Sequence, residues 1–164
     1  MKSFFWVMLI TFALTSLSQA SVLEELTNHP KLGGYAENAL QNREQMYRSI
    51  RRLTEAQSLS AKVGSFREVL SSQSYYCQSL RRLCEAIIKD LNSKKKTKTQ
   101  AQGMLCSLSY AVGAQSCKRI IGAKIKNLNS VGEKITGFTM IIQINQKVYE
   151  QLLEVIEEGA ALIR

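Results

Sequence analysis

Cysteines are the residues of this chain best equipped for chemistry, and there are four: Cys77, Cys84, Cys106 and Cys117. Such a set can bind a metal or close disulfides, and spacing separates the two. Zinc ligands favour pairs roughly two to four residues apart, whereas the gaps here are seven, 22 and 11, and the one histidine, His29, is far away in the chain. A hydrolase triad needs a base. His29 stands beside Pro30 with Glu24 and Glu25 as its nearest acids, and it reads as an exposed loop residue. The carboxylates Glu150, Glu154, Glu157 and Glu158 read as the solvated face of a last helix. No Glu-x-x-His pair, glycine-rich phosphate loop or zinc-protease motif occurs. The expectation is a non-enzymatic protein with no catalytic residue, no metal site and no cofactor.

The compartment decides how the thiols are read. Lys2 supplies a positive start, Phe4 to Leu17 an apolar run of 14 residues, and Ser18, Gln19 and Ala20 small residues suited to a signal peptidase. At about 1.5 Å per residue such a run reaches about 21 Å, short of a hydrocarbon core of roughly 30 Å, so a cleaved leader fits better than an anchor. The prediction is a signal peptide over residues 1–20, cleavage near Ala20, and a single domain over 21–164, secreted or periplasmic. The absence of an Asn-x-Ser/Thr sequon from that domain is easier to reconcile with a periplasm. In an oxidising compartment an even set of cysteines predicts two disulfides.

The elements that must position these residues are helical. Hydrophobic residues make up 45% of the chain, with one proline and few aromatics, a composition that fits a globular fold and disfavours a many-stranded one. Periodicity and breakers place helices at about 21–28, 35–63, 65–92, 99–128 and 130–163. Pro30 and Gly33-Gly34 end the first. Gly64-Ser65 is read as the next break, with Ser65 and Glu68 forming a capping-box pattern. The last helix is the clearest: Ile135, Phe138, Ile142, Asn145, Tyr149, Leu152, Ile156, Gly159 and Ile163 recur at alternating intervals of four and three, a heptad seam with one polar position. The fold class predicted is all-α, an antiparallel up-down four-helix bundle with a short N-terminal helix.

Cysteine spacing then predicts a stapled central hairpin. Cys77 and Cys84 lie two turns apart on one helix, Cys106 and Cys117 about three turns apart on the next, so each pair shares a face. A bridge within one helix is excluded, because seven residues separate Cα atoms by about 10.5 Å and a disulfide tolerates roughly 7 Å. With the turn near Lys95-Lys96, Cys84 with Cys106 and Cys77 with Cys117 give index sums of 190 and 194, within about two residues of a common register. The crossed alternative misses by about nine residues. Ala111, Gly113 and Ala114 would let the two helices approach closely.

Charge is the other feature. Residues 43–126 carry 17 basic and five acidic side chains, a net +12, while 21–42 and 127–164 are each −2. The clusters are Arg51-Arg52, Arg81-Arg82, Lys94-Lys95-Lys96-Lys98 and Lys118-Arg119, with Lys124 and Lys126 beyond. They form a candidate surface for an anionic partner, either an acidic protein or a membrane surface bearing anionic lipid or lipopolysaccharide. Nucleic acid is disfavoured, since no aromatics are interleaved to stack bases. In having a signal peptide followed by long antiparallel helices, the chain is broadly similar to minor pilus-tip subunits of type IV secretion systems. That likeness is architectural and implies no site residues. The function expected is an exported helical protein that binds another protein through its helix faces. The alternatives are a membrane- or anionic-surface-binding protein and a small helical inhibitor. The sequence does not settle the oligomeric state.

Overall fold

The structure, a computed structural model, describes residues 21–94, 97–127 and 129–163, with the backbone alone for residues 114–121 and 123. Residues 1–20, where the signal peptide was expected, lie outside the described set. The described chain is all-helical, without a strand. A short helix α1 (residues 21–27) is followed by four long ones, α2 (Gly33–Glu55), α3 (Leu59–Asn92), α4 (Lys98–Lys126) and α5 (Val131–Ile163).

Helix α1 buries Val22, Leu23 and Leu26 on one side. It turns tightly into α2, with Gly33 N–H donating to the His29 carbonyl at 2.9 Å. A β-carbon at Gly33 would collide with the Thr27 carbonyl oxygen, so this turn requires glycine.

The break between α2 and α3 lies earlier than the sequence predicts. Helix α2 stops at Glu55, Ala56 is extended (φ −64°, ψ 118°), and Ser58 caps α3 by accepting a hydrogen bond from Ala61 N–H at 3.1 Å. Gly64 and Ser65 lie within α3, and Glu68 faces Arg52 instead of closing a capping box. The side-chain oxygen at Ser58 stabilises a start there, and an exposed mid-helix glycine costs only about 1 kcal/mol. Thr97 precedes α4 but turns its hydroxyl back to donate to the Leu91 carbonyl at 2.8 Å, so it gives no side-chain cap. Ser130 Oγ accepts from Glu133 N–H at 3.4 Å at the start of α5.

Contacts between named residues fix the directions. Lys31 meets Asp90 near one end of α3 and Arg52 meets Glu68 near the other, so α2 and α3 are antiparallel. Helices α4 and α5 are antiparallel too: Met104 lies against Gly159 and Ile125 against Gly137. Helices α3 and α5 run parallel. Phe66 stacks on Phe138 with centroids 6.0 Å apart, Gln73 bonds Asn145, Tyr76 meets Tyr149 at 5.5 Å, and Ile87 reaches Gly159.

This parallel pair forms the centre. Helix α2 packs on α3, and α4 packs mainly on α5 and less on α3. The seam read from sequence in α5 is the surface that meets α3. Its members from Ile142 to Gly159 are buried, and Ile135, Phe138 and Ile163 are partly so. The main core joins Leu80, Leu83, Ile87 and Leu91 of α3 to Leu152, Leu153 and Ile156 of α5, with Ala36, Ala39 and Met46 of α2 and Met104 of α4. Each large aliphatic side chain fully removed from water there contributes about 1.5–3 kcal/mol.

The disulfide staple is not formed as expected. Among the described residues no cysteine pair lies at disulfide distance, and Cys77, Cys84 and Cys106 form no disulfide with one another. Cys84 is fully buried against α5, whereas Cys106 is exposed on α4. The thiol-bearing stripe of α3 is turned toward α5 and not toward α4, which removes the Cys84–Cys106 bridge. For Cys77–Cys117, Cys77 faces the Asn145 carbonyl, while the Cys117 side chain lies outside the described set. Gly113, assigned by spacing to the hairpin contact, is exposed with nothing within 4 Å of where its β-carbon would stand.

Candidate functional site

The two α3 thiols make equivalent contacts one heptad apart. Cys77 Sγ donates to the Asn145 carbonyl at 3.7 Å and Cys84 Sγ to the Leu152 carbonyl at 3.4 Å. Burial pushes the Cys84 thiol up to about 12, which keeps it protonated and unreactive at neutral pH. These cysteines act as small apolar spacers that bring α3 close to the α5 backbone. Cys106 is the one described thiol open to solvent.

The described basic residues do not form one surface. Arg52 is exposed and pairs with exposed Glu68 at 3.4 Å, with Arg51 exposed beside it near the end of α2. Arg82 stands 14 residues beyond Glu68 on α3, about 21 Å along the axis. Arg81 pairs with Glu85 at 2.8 Å and Lys94 with Asp90 at 2.9 Å. Lys98 is exposed at the start of α4. Lys95 and Lys96, and the side chains of Lys118 and Arg119, lie outside the described set.

The structure adds residues that sequence reasoning missed. Asp90, with its side chain 7% exposed, is held by Lys31 Nζ at 2.8 Å on one oxygen and Lys94 Nζ at 2.9 Å on the other. The hydrogen bond from Lys31, then that from Lys94, lowers its carboxyl to about 2. The Lys94 contact had a signal, an acid and a base four apart on one helix. The Lys31 contact spans 59 residues and had none.

Between α2 and α3 run open hollows. One of about 580 Å³ lies between Arg48 and Arg52 on one side and Glu68 and Tyr75 on the other. Two more, of about 450 and 350 Å³, adjoin at Lys31, Tyr35 and Arg82.

The outer side of α4 has a different character. From Thr99 to Cys117 the chain carries no charged residue, and all five charges of α4, at Lys98, Lys118, Arg119, Lys124 and Lys126, are basic. Met104, Leu108 and Ala111 turn inward, while Leu105 and Tyr110 are 44% and 71% exposed and Gly103, Cys106 and Gly113 also face solvent. Large apolar side chains on an uncharged helix surface are the usual composition of a contact face.

Among the described residues no group of three or more His, Cys, Asp or Glu side chains is placed to hold a metal ion. His29 lies in the turn between α1 and α2, its Nδ1 accepting from Lys31 N–H at 3.3 Å. Glu150 accepts from Gln146 at 2.9 Å, and Glu154, Glu157 and Glu158 are exposed. No described helix is long and apolar enough to cross a membrane. Comparison with protein-family models, curated proteins and solved structures finds no match to this chain.

Proposed function

We propose that this chain is a non-enzymatic helical binding protein, exported by the signal peptide expected over residues 1–20, that docks onto another protein through the outer face of α4. The observation that carries the reading is the uncharged run from Thr99 to Cys117, which leaves Leu105 and Tyr110 exposed on a helix already packed on its other side. Outward Gly103 and Gly113 leave room for a second helix to approach closely. Basic residues at both ends of the run favour a partner helix with an apolar middle and acidic flanks, by charge complementarity. We assign the four long helices to an up-down bundle in which this face is left open to a partner.

A pull-down from envelope or extracellular material, at low and high salt, tests the reading with wild-type protein and a Leu105→Asp/Tyr110→Asp variant. Partners bound by the wild type should be lost from the variant while its circular dichroism is unchanged. Equal capture by both proteins would remove α4 as the docking face. Co-sedimentation with anionic vesicles that survives both substitutions and is abolished by salt would favour the membrane-surface alternative.

A further inference from the structure

The two adjoining hollows between α2 and α3 are lined by two cations, Arg82 and Lys89, that make no ion pair among the described residues. Other cations at this end of α3 are paired: Lys31 and Lys94 share Asp90, and Arg81 takes Glu85. Arg82 lines both hollows, is exposed, and makes no ion pair or hydrogen bond among the described residues. The two carboxylates nearest to it in sequence are both engaged, Glu85 by Arg81 and Asp90 by the lysines. Glu85 and Asp90 line the larger hollow but are paired with Arg81 and with Lys31 and Lys94, so three cations, Lys31, Arg82 and Lys89, face two carboxylates there and the lining keeps a net positive charge. The remaining lining of the larger hollow sets apolar or aromatic Leu32, Tyr35 and Ala86 beside polar Ser93 and the paired carboxylates. Tyr35 is 45% exposed, so its ring is free to cover a ligand. At about 450 Å³ the hollow is of a size that accommodates a small organic molecule.

We propose that this cleft binds a small organic carboxylate with an apolar body, its carboxylate paired with the Arg82 guanidinium and its body lying across Tyr35 and Ala86. Arginine presents a planar fork that matches a carboxylate through two parallel hydrogen bonds, which a surface lysine cannot reproduce. Lys89, on the same wall one heptad beyond Arg82, makes no ion pair among the described residues and adds positive potential. This site is separate from the outer face of α4 and does not depend on that reading.

The test is a titration of the purified chain with 4-phenylbutyrate, followed by amide chemical shifts, alongside the uncharged analogue 4-phenylbutanol. Saturable shifts confined to the α2/α3 cleft are expected for the carboxylate, with binding about tenfold weaker for the alcohol and for Arg82→Gln. Arg82→Lys should recover only part of the loss. Arg67→Gln, which removes a charge from α3 outside the hollows, should bind as the wild type does. Absence of saturable shifts in the wild type would overturn the proposal. So would unchanged affinity in Arg82→Gln, or an equal loss in Arg67→Gln, which would reduce the effect to general attraction by a basic chain. Circular dichroism of each variant separates lost binding from lost fold.

Discussion

Gln73 of α3 and Asn145 of α5 form an amide pair inside the molecule, Asn145 Nδ2 donating to Gln73 Oε1 at 3.1 Å, with both residues at most 1% exposed. Asn145 is the single polar position of the α5 seam, and its own backbone carbonyl accepts from Cys77. Gln73 Nε2 has no hydrogen-bond partner, so part of the pair's desolvation cost is uncompensated. A buried polar pair within an apolar helix seam fixes alignment, because sliding either helix by one heptad leaves both amides facing hydrocarbon.

Replacing one partner is therefore expected to be worse than replacing both. Asn145→Leu strands the whole Gln73 amide and should lower stability by about 1–3 kcal/mol. Gln73→Leu/Asn145→Leu should recover much of that loss, since Gln73 Nε2 is already unpaired. Urea unfolding of the two single variants and the double variant closes the cycle, and additive losses would deny the coupling.

Glycines at two positions should respond in opposite directions. A β-carbon on Gly159 would press on Ile87 and come within 2.6 Å of Met104 Cε, where α3, α4 and α5 meet, so Gly159→Ala should cost about 1–3 kcal/mol. Gly64 is exposed within α3 and has nothing within 4 Å, so Gly64→Ala should stabilise by about 0.5–1 kcal/mol. Thermal unfolding of both variants checks the signs.

The contrast between α5 and α3 shows how much of the fold could be read from residues alone. The α5 seam was legible because strict alternation of four and three leaves one inward line. Tyr75 and Tyr76 divided as their adjacency on a helix requires, one 55% exposed and the other buried. The partner of the α3 stripe was not legible. A stripe records which side chains turn inward but not which helix they meet, and the hairpin neighbour α4 was a natural but wrong choice for Cys84. Helix α4 carries no charge on either side between Thr99 and Cys117, so no single inward face stood out, and Gly113 was assigned to the wrong one. The α2/α3 break was misplaced because a mid-helix glycine and a serine cap compete, and the cap at Ser58 prevailed. In the candidate sites, Arg82 was named from sequence as part of a charge cluster. Its isolation depends on where Glu85 and Asp90 turn, which only packing determines.

The thiols give a direct check on the corrected cysteine arrangement. In a Cys117→Ser background, native protein kept free of reductant should take up one maleimide, at exposed Cys106, while buried Cys77 and Cys84 are protected. Unfolding in denaturant without reductant should raise the count to three, because no disulfide joins these three cysteines. The Cys84 thiol, pushed up to about 12 by burial, should be slower than Cys106 even at alkaline pH while the fold persists. Mass spectrometry of labelled peptides reads each site separately. A count of one after unfolding, with Cys84 and Cys106 both unlabelled, would restore the Cys84–Cys106 disulfide.

Asp90 ties α1's outgoing turn, through Lys31, to the end of α3, through Lys94, and this coupling predicts a pH dependence. Its carboxyl is lowered to about 2 in the folded chain, first by the Lys31 hydrogen bond and then by that of Lys94, from about 3.9 when unfolded. The unfolded state therefore takes up its proton first as pH falls. The stabilisation is complete above about pH 4 and is lost as pH drops through about 2. Lys31 and Lys94 are 73% and 50% exposed, so solvent screening limits the contribution to about 1 kcal/mol. Asp90→Asn should accordingly be less stable than wild type by about that amount near neutral pH, with the difference vanishing at about pH 2. Lys31→Met should lose part of the same increment over the same pH range, because it removes the leading cause of the shift. Urea unfolding of wild type and both variants across that range measures the effect. A deficit in Asp90→Asn that persists unchanged at the acidic end would assign it to lost packing instead of lost charge.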